Sequence, residues 1–104
     1  NCGNQLIFQS GGMARRNNMM APFPNPNSGP VATLYLGLSS DQLVTVVVCD
    51  PFGNVRLRPF DNVPMRGGIG ELQLRIDELP QGEYFVQLRT SGGDVLTQKL
   101  LIAR

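Results

Sequence analysis

Apolar and polar positions alternate with a period of two along most of this chain, and no segment sustains a helical period over a helix-length window. Residues 31–38 put Leu34, Leu36 and Leu38 on one face. Residues 43–50 are Val-rich on both faces, with Val44, Val46 and Val48 on one and Thr45, Val47 and Cys49 on the other. That pattern predicts a central, covered strand. Residues 69–76 send Leu72, Leu74 and Ile76 inward and Glu71, Gln73 and Arg75 outward. Residues 83–90 send Tyr84, Val86 and Leu88 inward, and 95–102 form a last strand close to the final residue.

Turn chemistry separates these runs. In the 50–54 segment Asp50 accepts backbone bonds, Pro51 sets φ and Gly53 tolerates a positive φ, so a tight hairpin into a strand over 55–60 is expected. Pro64 and the Gly67-Gly68 pair make 61–68 read as a long connection. Leu79-Pro80-Gln81-Gly82 reads as a turn with an apolar plug, and 91–94 as another turn. Six strands, with a short one around 20–23, predict an all-β fold: a seven-stranded antiparallel immunoglobulin-like β-sandwich. A further strand at Leu6–Phe8 is too short to assign.

The first thirty residues hold Arg15 and Arg16, no acid, and six of the eight Asn. Residues 1–19 therefore read as a flexible leader, linker or passenger tail, and 20–104 as the folded domain. The chain starts at Asn1, so a mature product, a fragment or the end of a longer protein is expected. Net charge is +1, too small to steer nucleic acid. No apolar run reaches the length of a membrane-spanning helix.

The residue types offer no catalytic constellation. There is no His, which removes the commonest general base. Two cysteines build no thiolate metal site. Cys49 is expected to pack as a small strand residue, with a Cys2–Cys49 disulfide as the alternative open to a secreted protein. Asp77 and Glu78 are ordinary turn acids. The Gly67-Gly68-Ile69-Gly70 run lacks the Lys and the following helix of a phosphate loop. Arg56, Arg58, Arg75 and Arg89 point outward as a solvated face with acidic partners. No enzyme activity, cofactor, metal or small-molecule substrate is expected.

Four segments resemble one family in order and spacing. Ala21-Pro22-Phe23-Pro24-Asn25-Pro26-Asn27-Ser28-Gly29 is similar to the opening motif of the type A C-terminal sorting domain of type IX secretion cargo. Residues 44–54 (VTVVVCDPFGN) resemble its β-branched strand and Asp-x-x-Gly turn. Residues 76–86 (IDELPQGEYFV) resemble its Leu-x-x-Gly-x-Tyr motif, and 98–104 (QKLLIAR) its closing Lys-plus-apolar strand. Cys49 stands where the family usually has an aromatic, and Asn54 where it often has Arg. The resemblance implies sorting-motif roles for Pro24, Asn25, Pro26, Asp50, Gly53, Leu79, Gly82, Tyr84, Lys99, Leu100, Ile102 and Arg104.

It also implies a non-catalytic address label on a secreted or cell-surface cargo of Bacteroidota-type bacteria, exported through the periplasm and across the outer membrane. The implied partners are an outer-membrane translocon or shuttle protein and a cell-surface sortase. The sortase removes the label, cutting near Gly11, Gly12, Met13, Ala14 or Ala21, or attaches the passenger to the surface. A reading from another class stays open: an immunoglobulin-like adhesion or assembly module whose leader donates a strand to a neighbour. Self-association through edge strands is a further expectation, with the last strand and the proline-bearing first strand as the exposed edges.

Overall fold

A computed structural model describes residues 17–104. Seven strands make two antiparallel sheets: β1 (Asn18–Met19), β2 (Val31–Leu38) and β5 (Gly68–Arg75) in the order β1-β2-β5, and β4 (Val55–Met65), β3 (Gln42–Cys49), β6 (Gly82–Thr90) and β7 (Val95–Ile102) in the order β4-β3-β6-β7. The sheets face each other across one apolar layer, and the architecture agrees with the predicted immunoglobulin-like sandwich.

Alternation decides which side chains enter that layer. Leu34, Leu36, Leu38, Val44, Val46, Val48, Leu74, Ile76, Tyr84, Val86, Leu88, Leu100 and Ile102 are all buried in a single cluster. β3 is central between β4 and β6, as its two apolar faces require. Its second face is also used: Val47 and Cys49 are buried on the outer side, with Val55 packed against them.

Three expectations need correction. The segment 61–68 is not a long connection, because β4 continues to Met65. Register shifts against β3 absorb the extra residues. Asn62 sits at φ 52° and donates its N–H to Thr45 Oγ1 at 3.0 Å. Pro59 and Pro64 are tolerated because β4 is an edge strand with one unpaired side. The second correction concerns the first strand, which is Asn18–Met19 and not 20–23. Pairing with β2 continues past it only at points, through Met20 N–H to Tyr35 O at 2.9 Å and a reciprocal bridge between Phe23 and Thr33, because Pro22 and Pro24 offer no N–H.

The packed body therefore begins before residue 20. Met19 is buried in the core. Asn17 is buried too, and its amide pairs reciprocally with the Gln42 amide (3.2 and 3.1 Å), donates to Asp94 Oδ2 at 2.6 Å and accepts the Ser39 N–H at 2.7 Å. The rest of the leader, with the short run at Leu6–Phe8, lies outside the described residues.

The third correction is Cys49. It is disulfide-bonded and not a free packing thiol. Its partner, and so the Cys2–Cys49 pairing considered above, lies outside the described residues.

Candidate functional site

One end of the sandwich gathers residues that are far apart in the chain. The registers place it: β3 ends at Cys49 opposite Phe85, β6 starts at Gly82 opposite Ile102, and β2 starts at Val31 opposite Arg75. Residues 24–30, the 77–81 turn and the chain's final residues meet there, and the 50–54 turn lies at the same end of β3.

The proline-spaced segment closes the side of the sandwich. From β1 it runs beside β2, then crosses to the free edge of β7, where Asn27 forms a parallel bridge with Ile102. Earlier along this side, Gln98 Nε2 donates to Met19 O at 2.8 Å. Both Phe23-Pro24 and Asn25-Pro26 are cis. Pro24 and Pro26 are exposed and turn no donor toward β7. Asn25 between them supplies what a neighbouring strand would: its amide nitrogen donates to Lys99 O at 2.9 Å, and its amide oxygen accepts the Leu101 N–H at 2.9 Å. The last half of the β7 edge is therefore capped, contrary to the expectation of an open edge there.

Asn27 holds this segment together, and the sequence reading did not single it out. It is fully buried. Its side chain donates to Val31 O at 2.9 Å and Pro24 O at 3.3 Å, and accepts the Gly29 N–H at 2.8 Å. Its backbone N–H bonds Leu101 O at 2.8 Å, and its carbonyl accepts the Ala103 N–H at 2.9 Å. The local signal was the Asn-Ser-Gly triplet, which favours an Asx-turn. Nothing local announced the bonds to β7.

The turn between β5 and β6 completes this end. Leu79 is buried as the apolar plug, and its N–H bonds Ile76 O at 3.1 Å. Gly82 opens β6. Tyr84 is buried and donates its hydroxyl to Pro80 O at 2.8 Å, the corner contact that a Tyr near the start of a strand makes to the preceding turn in immunoglobulin-like sandwiches. Arg104 reaches back across the end: its guanidinium donates to Ile76 O at 2.6 Å, Gly29 O at 3.1 Å and Leu79 O at 3.2 Å. It ties together the start of β2, the turn and the end of the chain. Leu100 and Ile102 are fully buried. Lys99 projects to solvent and pairs with Glu83 at 2.6 Å.

The 50–54 turn behaves as its residues predict. Asp50 Oδ1 accepts the N–H groups of Asn54 (2.9 Å) and Phe52 (3.0 Å). Gly53 adopts φ 89°, where a side chain would be strained. The Asn54 backbone bond, helped by the Asn54 and Phe52 donors and by Arg56, holds the Asp50 carboxyl below its ordinary value.

Of the residues expected near a cleavage point, Gly11, Gly12, Met13 and Ala14 lie outside the described residues. Ala21 is exposed, but it sits between Met20 and Phe23, both bonded to β2. The four outward arginines do not form one patch. Arg75 lies on the three-stranded sheet beside Asp77 (3.5 Å), Arg56 lies on β4 beside Asp50 (3.9 Å), and Arg89 donates to Gln87 Oε1 at 2.8 Å. Among the described residues no cluster of His, Cys, Asp or Glu is arranged to hold a metal ion.

This is a small immunoglobulin-like sandwich in which Asn25, Asn27, Tyr84 and Arg104 lock one end of the fold beside its last strand. The family model of the secretion system C-terminal sorting domain matches residues 21–103, and the chain belongs to that family. No curated protein matches the chain. Membership makes the domain a type IX secretion C-terminal sorting signal, of a kind that is generally non-catalytic. It belongs to a secreted or cell-surface cargo protein and engages the type IX machinery.

Proposed function

We propose that the locked end of the sandwich is what the export machinery reads. The recognised surface comprises the last half of β7 with Lys99, the Pro24–Asn27 segment capping it, and the 77–82 turn clamped by Arg104. The outer-membrane translocon, or a shuttle protein serving it, docks there. A cell-surface sortase then removes the domain, either releasing the passenger or attaching it to the cell surface.

The supporting observation is convergence. Three family motifs spread over the chain bond to one another at this end, through Asn25 and Asn27 to β7 and through Arg104 to residues 29, 76 and 79. Removal is proposed to cut ahead of Asn17. From Asn17 to Phe23 the chain is buried or bonded to β2 at several points, and a peptidase needs an accessible extended segment. Ala21 is thereby the least suitable of the residues considered.

The test fuses the chain to a periplasm-directed reporter in a bacterium with type IX secretion and measures reporter outside the cell. Export is expected with the intact domain. Loss is expected when Lys99–Arg104 is deleted, but that deletion also removes Leu100 and Ile102 from the core, about 1.5–3 kcal/mol each. Lys99→Ala and Asn25→Ala, both at exposed positions, separate recognition from folding. Normal export of both variants together with the deletion would sink the proposal.

A further inference from the structure

We propose that the free edge of β5 pairs with the same edge of a second copy of this chain, antiparallel about a two-fold axis at Gln73. This inference is independent of the sorting role and of the end of the sandwich assigned to it.

The sandwich has four sheet edges, and three are blunted. β4 carries Pro59 and Pro64 and is interrupted by register shifts. β1 is two residues long. β7 is capped over Lys99 and Leu101 by Asn25 and Asn27. Among the described residues β5 has none of these protections. It is eight residues long, holds no proline, and pairs with β2 in unbroken register from Val31↔Arg75 to Leu38↔Gly68.

The direction of its unpaired groups follows from β2. Thr33 and Tyr35 bond toward the β1 side, Thr33 with Phe23 (2.7 and 2.8 Å) and Tyr35 with Met20 (2.9 Å). Ala32, Leu34 and Leu36 therefore bond toward β5, opposite Leu74, Leu72 and Gly70. The alternate residues Glu71, Gln73 and Arg75 turn their N–H and C=O groups to the open edge, and all three are exposed.

The side chains on this edge read as their own complement. The run Glu71-Leu72-Gln73-Leu74-Arg75 is acid, apolar, amide, apolar, base. Reversed, it meets itself with every pair matched. With Gln73 opposite the second copy's Gln73, Glu71 faces Arg75 and Arg75 faces Glu71, while Leu72 and Leu74 face each other on the inner side. Glu71, Gln73 and Arg75 are also the residues whose backbone groups face the open edge, so each facing pair is of the hydrogen-bonded type that exchanges two bonds. Leu72 is only partly buried in the single sandwich and gains cover. Arg75 reaches its present partner Asp77 at 3.5 Å with its own side chain 74% exposed, so it is available to a better-placed carboxylate. The two three-stranded sheets become one continuous sheet, and the contact is isologous and closes on itself. A parallel partner, or a strand of unrelated sequence, lacks this charge match.

The experiment is sedimentation velocity of the full chain over a concentration series reaching the millimolar range, with urea midpoints confirming that each variant folds. The expected result is a monomer–dimer equilibrium. Gln73→Pro removes an N–H aimed at the open edge together with the exposed side-chain bonds to Thr33 and Glu71, leaves the backbone ladder to β2 whole, and is expected to abolish the dimer. Glu71→Arg and Arg75→Glu each set like charges opposite one another twice and are expected to weaken association by at least about tenfold. The double variant E71R/R75E restores opposite charges and is expected to recover it. Should Gln73→Pro fail to fold, the charge series decides alone. A chain monomeric throughout, a dimer untouched by Gln73→Pro, or a double variant as weak as the singles would overturn the proposal.

Discussion

Replacing Asn27 with Ala tests most directly whether the proline-spaced segment is held by side-chain bonds or by packing. The substitution removes three hydrogen bonds, to Val31 O, Pro24 O and Gly29 N, at a fully buried position. A typical bond contributes about 0.5–1.5 kcal/mol net, and partners stranded away from water raise the cost, so the total comes to about 2–4 kcal/mol. With an m-value of about 1.5 kcal/mol/M, the urea midpoint falls by roughly 1.3–2.7 M while m stays constant. Asn25→Ala is the matched control. It removes two bonds, but at an exposed position where water replaces them, so its cost stays below about 1 kcal/mol. Equilibrium urea unfolding followed by circular dichroism measures both. Equal costs for the two variants, or less than about 1 kcal/mol for Asn27→Ala, would show that the Asn27 bonds do not hold the segment in place.

Arg104→Ala removes three guanidinium bonds to carbonyls at the rim of the fold and is expected to cost about 1–2 kcal/mol. Arg104→Lys should not recover the loss, because an ammonium cannot span three separated carbonyls; full rescue by Lys in urea unfolding would contradict the clamp. Tyr84→Phe keeps the ring in the core and drops only the bond to Pro80 O, for about 1 kcal/mol in the same assay, and an unchanged midpoint would show the corner bond to be idle. Asp50 has its carboxyl held below its ordinary value by the Asn54 and Phe52 donors. Its contribution is therefore present at neutral pH and is lost as pH falls through its folded-state pKa. Midpoints measured from neutral to strongly acid pH should fall less steeply for Asp50→Ala than for the parent, and parallel curves would rule out the linkage.

Much of the fold is legible in the chain because it depends on neighbours in sequence. A period of two sends Leu34, Leu36 and Leu38 to one face whatever lies opposite, and all three are buried. The two apolar faces of residues 44–49 required a central strand, which β3 is. Asp50 and Gly53 form their turn from local geometry alone. The resemblance in 21–29, 44–54, 76–86 and 98–104 pointed to the family whose model matches residues 21–103. Where local signals misled, tertiary context had overridden them. Pro64 and Asn62 suggest a loop, yet an edge strand has one side free to accept a residue without an N–H and bulges to absorb the surplus. Asn17 and Met19 looked like leader, because polar composition says nothing of a cavity formed by Gln42, Thr90 and Asp94 elsewhere in the chain. The same holds for Asn25, Asn27 and Arg104. Their types were visible, but their partners are carbonyls and N–H groups contributed by distant segments. Only folding sets those groups at hydrogen-bond distance. The sequence by itself determined which residues alternate, turn and enter the core, since those choices rest on backbone geometry and water's rejection of apolar surface. Which edges are capped and which, among the described residues, stays open could be settled only by the folded arrangement, since that depends on what the finished sheets bring alongside.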